Sequence, residues 1–234
     1  PAYFGIVAFF LFVFGLFAVK GPVKWWLLGA VLLTFVMSLG KNMEGFNKLL
    51  FDTLPLLNKF RAPSSILSVT AIFIPILGIL GISEILKSTN KETFLKPLYI
   101  SAGILGGLCA MLWIGGSSLF DFSSQGDANY QEIIDELLKQ RQSMLASSAF
   151  RSFAYIVLVS AVIWAFLKDK INSTILIAVI GVLGLFDLVQ IGKDYLDKKD
   201  FVTKNTYKQN FEARPVDTQI LQDNDPNFRV YDAT

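Results

Sequence analysis

An all-α polytopic membrane protein is the fold class that this sequence predicts, and three observations carry it. Of its 234 residues, 53% are hydrophobic and 17% charged, and the mean hydropathy is +0.51; soluble domains run near a quarter charged. Six apolar runs reach or approach the roughly 20 residues that a helix needs to cross a bilayer. None alternates apolar and polar residues as a membrane β-strand does, which leaves helices to satisfy the backbone in lipid.

The runs cover residues 2–19, 25–39, 66–86, 98–116, 153–167 and 173–191. The second and fifth are short and draw on flanking residues. Trp25 and Trp26 open the second as an interfacial aromatic anchor. Pro75 lies in the middle of the third, followed by Gly78 and Gly81. It predicts a kink, because proline removes one backbone hydrogen bond. In the fourth, Gly103 and Gly107 have the spacing that lets helices approach closely, within the chain or between two copies.

The connections between runs differ in charge. Lys20, Lys24, Lys87, Lys91, Lys96, Lys168 and Lys170 fall in short loops on one face. The positive-inside rule puts that face in the cytoplasm, with the 40–65 loop, the 117–150 segment and the tail outside.

The 40–65 loop carries Lys41, Glu44, Lys48, Asp52, Lys59 and Arg61 among helically spaced apolar residues. It reads as an interfacial segment folded back over the bundle. Residues 127–150 read as an outside amphipathic helix capped by Asp127 or Asn129. Its apolar face is Tyr130, Ile133, Ile134, Leu137, Leu138 and Leu145. Such a helix lies on the interface or against the bundle, and Arg151 marks where the next span begins. Residues 192–234 are polar and rich in turn residues, and read as the truncated start of an extracytoplasmic α/β or β-rich domain. The chain opens at Pro1 inside an apolar run, and reads as an internal piece of a longer protein.

Several chemistries are excluded. The sequence has no histidine, so proton transfer falls to Asp, Glu, Lys or Tyr. Its single cysteine, Cys109, supports neither a disulfide framework nor a thiolate metal site. A net charge of +2 with scattered basic residues gives no nucleic-acid partner. No cofactor is implied.

Three segments, taken together, resemble the bacterial YfhO-type integral membrane proteins: LPLLNKFRAPSS at 54–65, FRSFAYIVL at 150–158, and FDLVQIGKDYLDKKDFV at 186–202 leading to DTQILQDNDPNFRVYD at 217–232. Their order and spacing are similar to the later part of such a protein and cover most of this chain. The resemblance implies a bacterial cytoplasmic-membrane protein similar to the GT-C class of glycosyltransferases. Such enzymes move a sugar from a polyprenyl-phosphate carrier to an envelope glycan or glycolipid acceptor on the outer face. Their acidic catalytic residue usually sits in a first external loop, which would lie before Pro1. The sequence departs from the pattern at Ser147, Ser148, Ala149 and Phe150, where an acidic residue is expected shortly before Arg151.

Sugar transfer from a lipid phosphate needs a base for the acceptor hydroxyl and positive charge for the departing phosphate. Arg61 is the leading candidate for the second task, because a guanidinium presents a fixed fork of donors to phosphate. Lys59 can assist it, and Asp52 is a candidate acceptor contact. Arg61 also reads as a snorkelling anchor that sets the span boundary. Asp187 sits about one turn from the outer boundary of the sixth run. A carboxylate at that depth is either functional or a headgroup-level cap paired with Arg61 or Arg151. Arg151 and Asp187 can complete an ion-pair network facing the same cavity. A transporter or flippase of lipid-linked sugars, and a non-enzymatic membrane scaffold, are the alternative functions.

Overall fold

In the computed structural model, residues 3–53, 63–209 and 211–222 are described, and every regular element among them is helical. The main helices are α1 (Ile6–Ala18), α2 (Val23–Ser38), α3 (Glu44–Thr53), α4 (Leu67–Lys87), α5 (Leu95–Leu119), α6 (Ile134–Leu167), α7 (Ser173–Tyr195), α8 (Lys204–Gln209) and α9 (Pro215–Ile220). Short 3-10 turns lead into α3, α4, α5 and α6. The chain divides into two compact units, Pro1–Ile191 and Gly192–Thr234.

Four helices, α4 to α7, are long and apolar enough to cross a membrane, and α2 with α3 makes a fifth when the bent pair is counted together. Helix α1 has 13 residues, about 20 Å at 1.5 Å per residue. That is shorter than the 2–19 run, and less than the roughly 30 Å of a hydrocarbon core. Its first turn is displaced by the extended segment around Gly5, for reasons given below.

Helix α1 is nonetheless the hub of the larger unit, touching α2, α4, α5 and α6. Phe10 and Phe14 are fully buried on it. Its closest partner is α4, which runs parallel to it: Gly78 lies against Leu11, and Gly81 against Gly15. A Cβ on Gly15 would sit 2.4 Å from the backbone oxygen of Leu77. The helices therefore meet backbone to backbone, as small residues permit in membranes. Helix α2 packs on the same α4 through a hydrogen bond from Thr70 Oγ1 to Thr34 Oγ1 at 2.8 Å. Helix α4 stays one helix through Pro75.

The second seam joins antiparallel α5 and α6. Gly103 and Gly107, the expected close-contact pair, have nothing within 4 Å of a Cβ placed on them. The α5 glycines that meet α6 are Gly106, against Phe153 and Ile156 at 3.8 Å, and Gly116, where a Cβ would sit 2.7 Å from Leu145. Gly103, Gly106 and Gly107 line a groove beside the seam.

The two segments expected outside the membrane are helical where they are described. Helix α3 turns 113° from α2. Buried Asn47 fixes the elbow by donating its side-chain amide to the carbonyls of Gly40 and Met43, at 3.0 and 3.2 Å. In the 117–150 segment, the expected separate helix is corrected: α6 runs unbroken for 34 residues, about 51 Å, so the polar helix and the span after Arg151 are one helix, with Leu145 packed on Gly116 of α5. Ile133, expected on the apolar face, is exposed.

Asp127 caps the turn before α6 together with Ser124. Its carboxylate also accepts both terminal nitrogens of Arg141, at 2.7 and 2.8 Å. The Arg141 hydrogen bond, above all, holds the Asp127 carboxyl below the usual carboxylate range. In the smaller unit, the described residues form α8 and α9 and no strand. The expected terminal strand lies outside the described residues.

Two measurements test this packing. Gly15→Val should destabilise the bundle by about 1–3 kcal/mol or more, the range for overpacking a close contact. Gly103→Val should be nearly neutral; thermal unfolding in detergent compares the two. For Asp127, a lowered folded pKa means that its contribution is fully present above the ordinary carboxylate range. It is lost as pH falls through the lowered value. Hydrogen exchange over residues 122–134 should therefore accelerate only at acid pH, and Asp127→Asn should remove that dependence.

Candidate functional site

Polar side chains are scarce within the helix bundle, so a cluster of them at one end is the place to look for chemistry. The cluster gathers Tyr3 from the N-terminal segment, Arg151 and Tyr155 from α6, and Asp187 and Gln190 from α7. Arg151 and Tyr155 lie one turn apart on α6, and Asp187 and Gln190 lie nearly one turn apart on α7. Tyr155 Oη meets Gln190 Oε1 at 3.5 Å, a long contact.

Asp187 is fully buried. An enclosed carboxylate costs several kcal/mol unless its oxygens are satisfied. Tyr3 Oη donates to Oδ1 at 2.6 Å, and the backbone N–H of Val7 donates to Oδ2 at 3.3 Å. The second bond places the carboxylate at the start of α1, where unsatisfied N–H groups and the helix dipole favour negative charge. Gly5, the N-cap of α1, offers no side-chain cap, so a residue 180 positions away supplies it. The Ile6 N–H donates to Tyr3 Oη at 3.2 Å, which ties phenol, carboxylate and helix start into one network.

Gly5 makes this possible. Its φ of +84° is one that side-chain-bearing residues rarely adopt, and a Cβ there would press Asp187 Oδ2 and Leu188 at 3.2 Å. The turn that shortens α1 is the same turn that admits the carboxylate.

Arg151 does not pair with Asp187. Its guanidinium faces the Tyr3 ring at 6.0 Å from the centroid, and its Nε is enclosed with no hydrogen-bond partner among the described residues. The expected ion pair is replaced by a three-part stack in which Tyr3 separates cation from carboxylate. Tyr3 takes Asp187 Oδ1, which leaves the Arg151 Nε to another acceptor.

The other sequence candidates lie apart. Asp52 is exposed near the end of α3, and Arg61 and Lys59 lie outside the described residues. Among the described residues, no group of three or more Cys, Asp or Glu side chains is arranged to hold a metal ion. Sequence reasoning missed Tyr3, Tyr155 and Gln190. Tyr3 was readable only as one more aromatic in an apolar run, and its role depends on a partner 184 positions away.

Gly5→Ala tests the cluster directly. The combined strain and crowding should cost about 1–3 kcal/mol, read as a lower unfolding temperature in detergent. Gly29→Ala, with nothing within 4 Å of its Cβ, should not.

Comparison with known protein families, characterised proteins and solved structures finds no match.

Proposed function

We propose that this chain is the membrane-embedded part of a glycosyltransferase-like protein of the YfhO type, acting at the outer face of a bacterial cytoplasmic membrane. It would move a sugar from a polyprenyl-phosphate carrier to an envelope glycan or glycolipid. In this reading all six helical runs span. The cluster end, the 40–65 loop, the 117–150 segment and residues 192–234 are extracytoplasmic.

The observation that carries the reading is Arg151: a guanidinium at the end of the bundle, with an enclosed Nε that nothing in the described residues accepts. A phosphate or diphosphate ester suits it, because charge-assisted bonds to a planar fork of donors are both strong and oriented. The grouping of the lysine-bearing loops on one face has support of its own. Lys91 pairs with Asp169 at 2.6 Å and Lys168 with Glu92 at 2.9 Å, which brings the lysine-bearing α4–α5 and α6–α7 loops together at the opposite end. Arg61 and Lys59 would join the phosphate from the 40–65 loop, and Asp52 would meet the acceptor. Asp187 acts from behind Tyr3 rather than by direct contact.

A transporter of the same lipids would place polar groups near the middle of several helices. The Tyr3–Arg151–Asp187 cluster sits at one end, which favours surface chemistry over passage.

Full-length protein in proteoliposomes, supplied with a panel of labelled polyprenyl-phosphate sugars and envelope membranes, tests the reading. Arg151→Ala should lower transfer roughly 10- to 100-fold, the worth of a charged hydrogen bond. Arg151→Lys should recover part of it. Equal transfer by Arg151→Ala removes the phosphate role, and no transfer by wild type from any donor removes the transferase reading.

A further inference from the structure

Glycosyl transfer needs an acceptor for the proton of the attacking hydroxyl, and a sequence without histidine leaves that to Asp, Glu, Lys or Tyr. Asp187 is too enclosed to meet a substrate. Tyr3 is not: it is 39% exposed, and its hydroxyl touches the carboxylate at 2.6 Å. We propose that Tyr3 and Asp187 form a proton-accepting pair, in which the Tyr3 hydroxyl meets the hydroxyl of the sugar acceptor and Asp187 takes the proton that Tyr3 gives up. The inference rests on the transferase reading above, and places a base within this chain.

Three features of the cluster suit the task. The short O–O separation lets one proton pass between the two oxygens without movement of either side chain. Backbone N–H groups of Ile6 and Val7 point at the phenolic oxygen and at Oδ2, at 3.2 and 3.3 Å. They steady negative charge on whichever partner holds it. The Arg151 guanidinium lies against the Tyr3 ring, which favours electron density on that ring, and its Nε has no acceptor among the described residues.

The step balances. The acceptor oxygen forms a bond to the anomeric carbon as the bond from that carbon to the carrier phosphate oxygen breaks. The bonding pair leaves with the polyprenyl phosphate beside Arg151. The acceptor's proton passes to Tyr3 Oη while the Tyr3 proton passes to Asp187 Oδ1. After product departs, Asp187 returns its proton to Tyr3, which releases one to water. Tyr3 is the catalytic residue here. Asp187 acts through it.

The test uses the full-length protein in phosphatidylethanolamine–phosphatidylglycerol proteoliposomes, with labelled polyprenyl-phosphate hexoses as donors. Tyr3→Phe deletes one oxygen, and Asp187→Asn keeps an acceptor atom but takes no proton. Both should lower kcat about 100-fold or more, with donor KM changed less than about threefold. Should Asp187→Asn fail to accumulate in membranes, Tyr3→Phe decides alone, because it leaves the carboxylate and its Val7 contact in place. Active wild type with a fully active Tyr3→Phe overturns the pair and spares the transferase reading. Wild type inactive with every donor overturns both.

Discussion

The backbone contact between α1 and α4 is the constraint on which the rest of the larger unit depends. Gly15, Gly78 and Gly81 let the two helices run in parallel with main chain touching main chain, closer than any side chain would allow. That contact puts a 13-residue helix in the middle of longer ones. Phe10 and Phe14 then reach into the surrounding core from a fixed axis. The orphan N–H groups of the first turn of α1 need partners.

Asp187 is the partner, and this reverses the usual weighing of a buried carboxylate. On α7 alone it is a liability, because the desolvation of a lone anion is severe. Against the start of α1 it satisfies a donor that would otherwise be unpaired, and the helix dipole offsets part of its charge cost. Tyr3 completes the arrangement by covering Oδ1. The network is a structural device first, and any chemistry it performs uses interactions that the fold already requires. A substitution at Asp187 therefore disturbs packing and function together, while loss of the Tyr3 hydroxyl leaves most of the packing alone.

Much of the helical architecture was legible in the sequence, because apolar runs of bilayer length leave the backbone few alternatives to helix. Hydropathy identified the runs that became α4, α5 and α7 within a few residues of their structured ends. It failed at α6, where composition changes sharply near Arg151 but helix propensity does not. A mixed run of Leu, Ala, Gln and Lys continues a helix as readily as a purely apolar one. Glycine spacing did not place Gly103 and Gly107 in a contact within the chain, since a motif reports which backbones can approach but not which face is turned inward. In the cluster, Arg151 and Asp187 were visible as charges out of place. Their relation was not, because the sequence carries no sign that a tyrosine from the far end of the chain would stand between them.

That intervening tyrosine distinguishes the cluster from an ordinary buried ion pair. Had Arg151 bonded directly to Asp187, each charge would have consumed the other, and the site would offer a ligand nothing but a neutral patch. At the opposite end of the bundle this is what happens: Lys91 with Asp169 and Lys168 with Glu92 close on themselves and tie two loops. With the Tyr3 ring interposed, cation and anion stay near enough to stabilise one another but keep separate faces. The guanidinium retains an unspent donor, and the carboxylate retains a path for a proton through a phenol that reaches the surface. Cation and carboxylate are thus held on either side of one aromatic ring, each with a face that the other does not occupy.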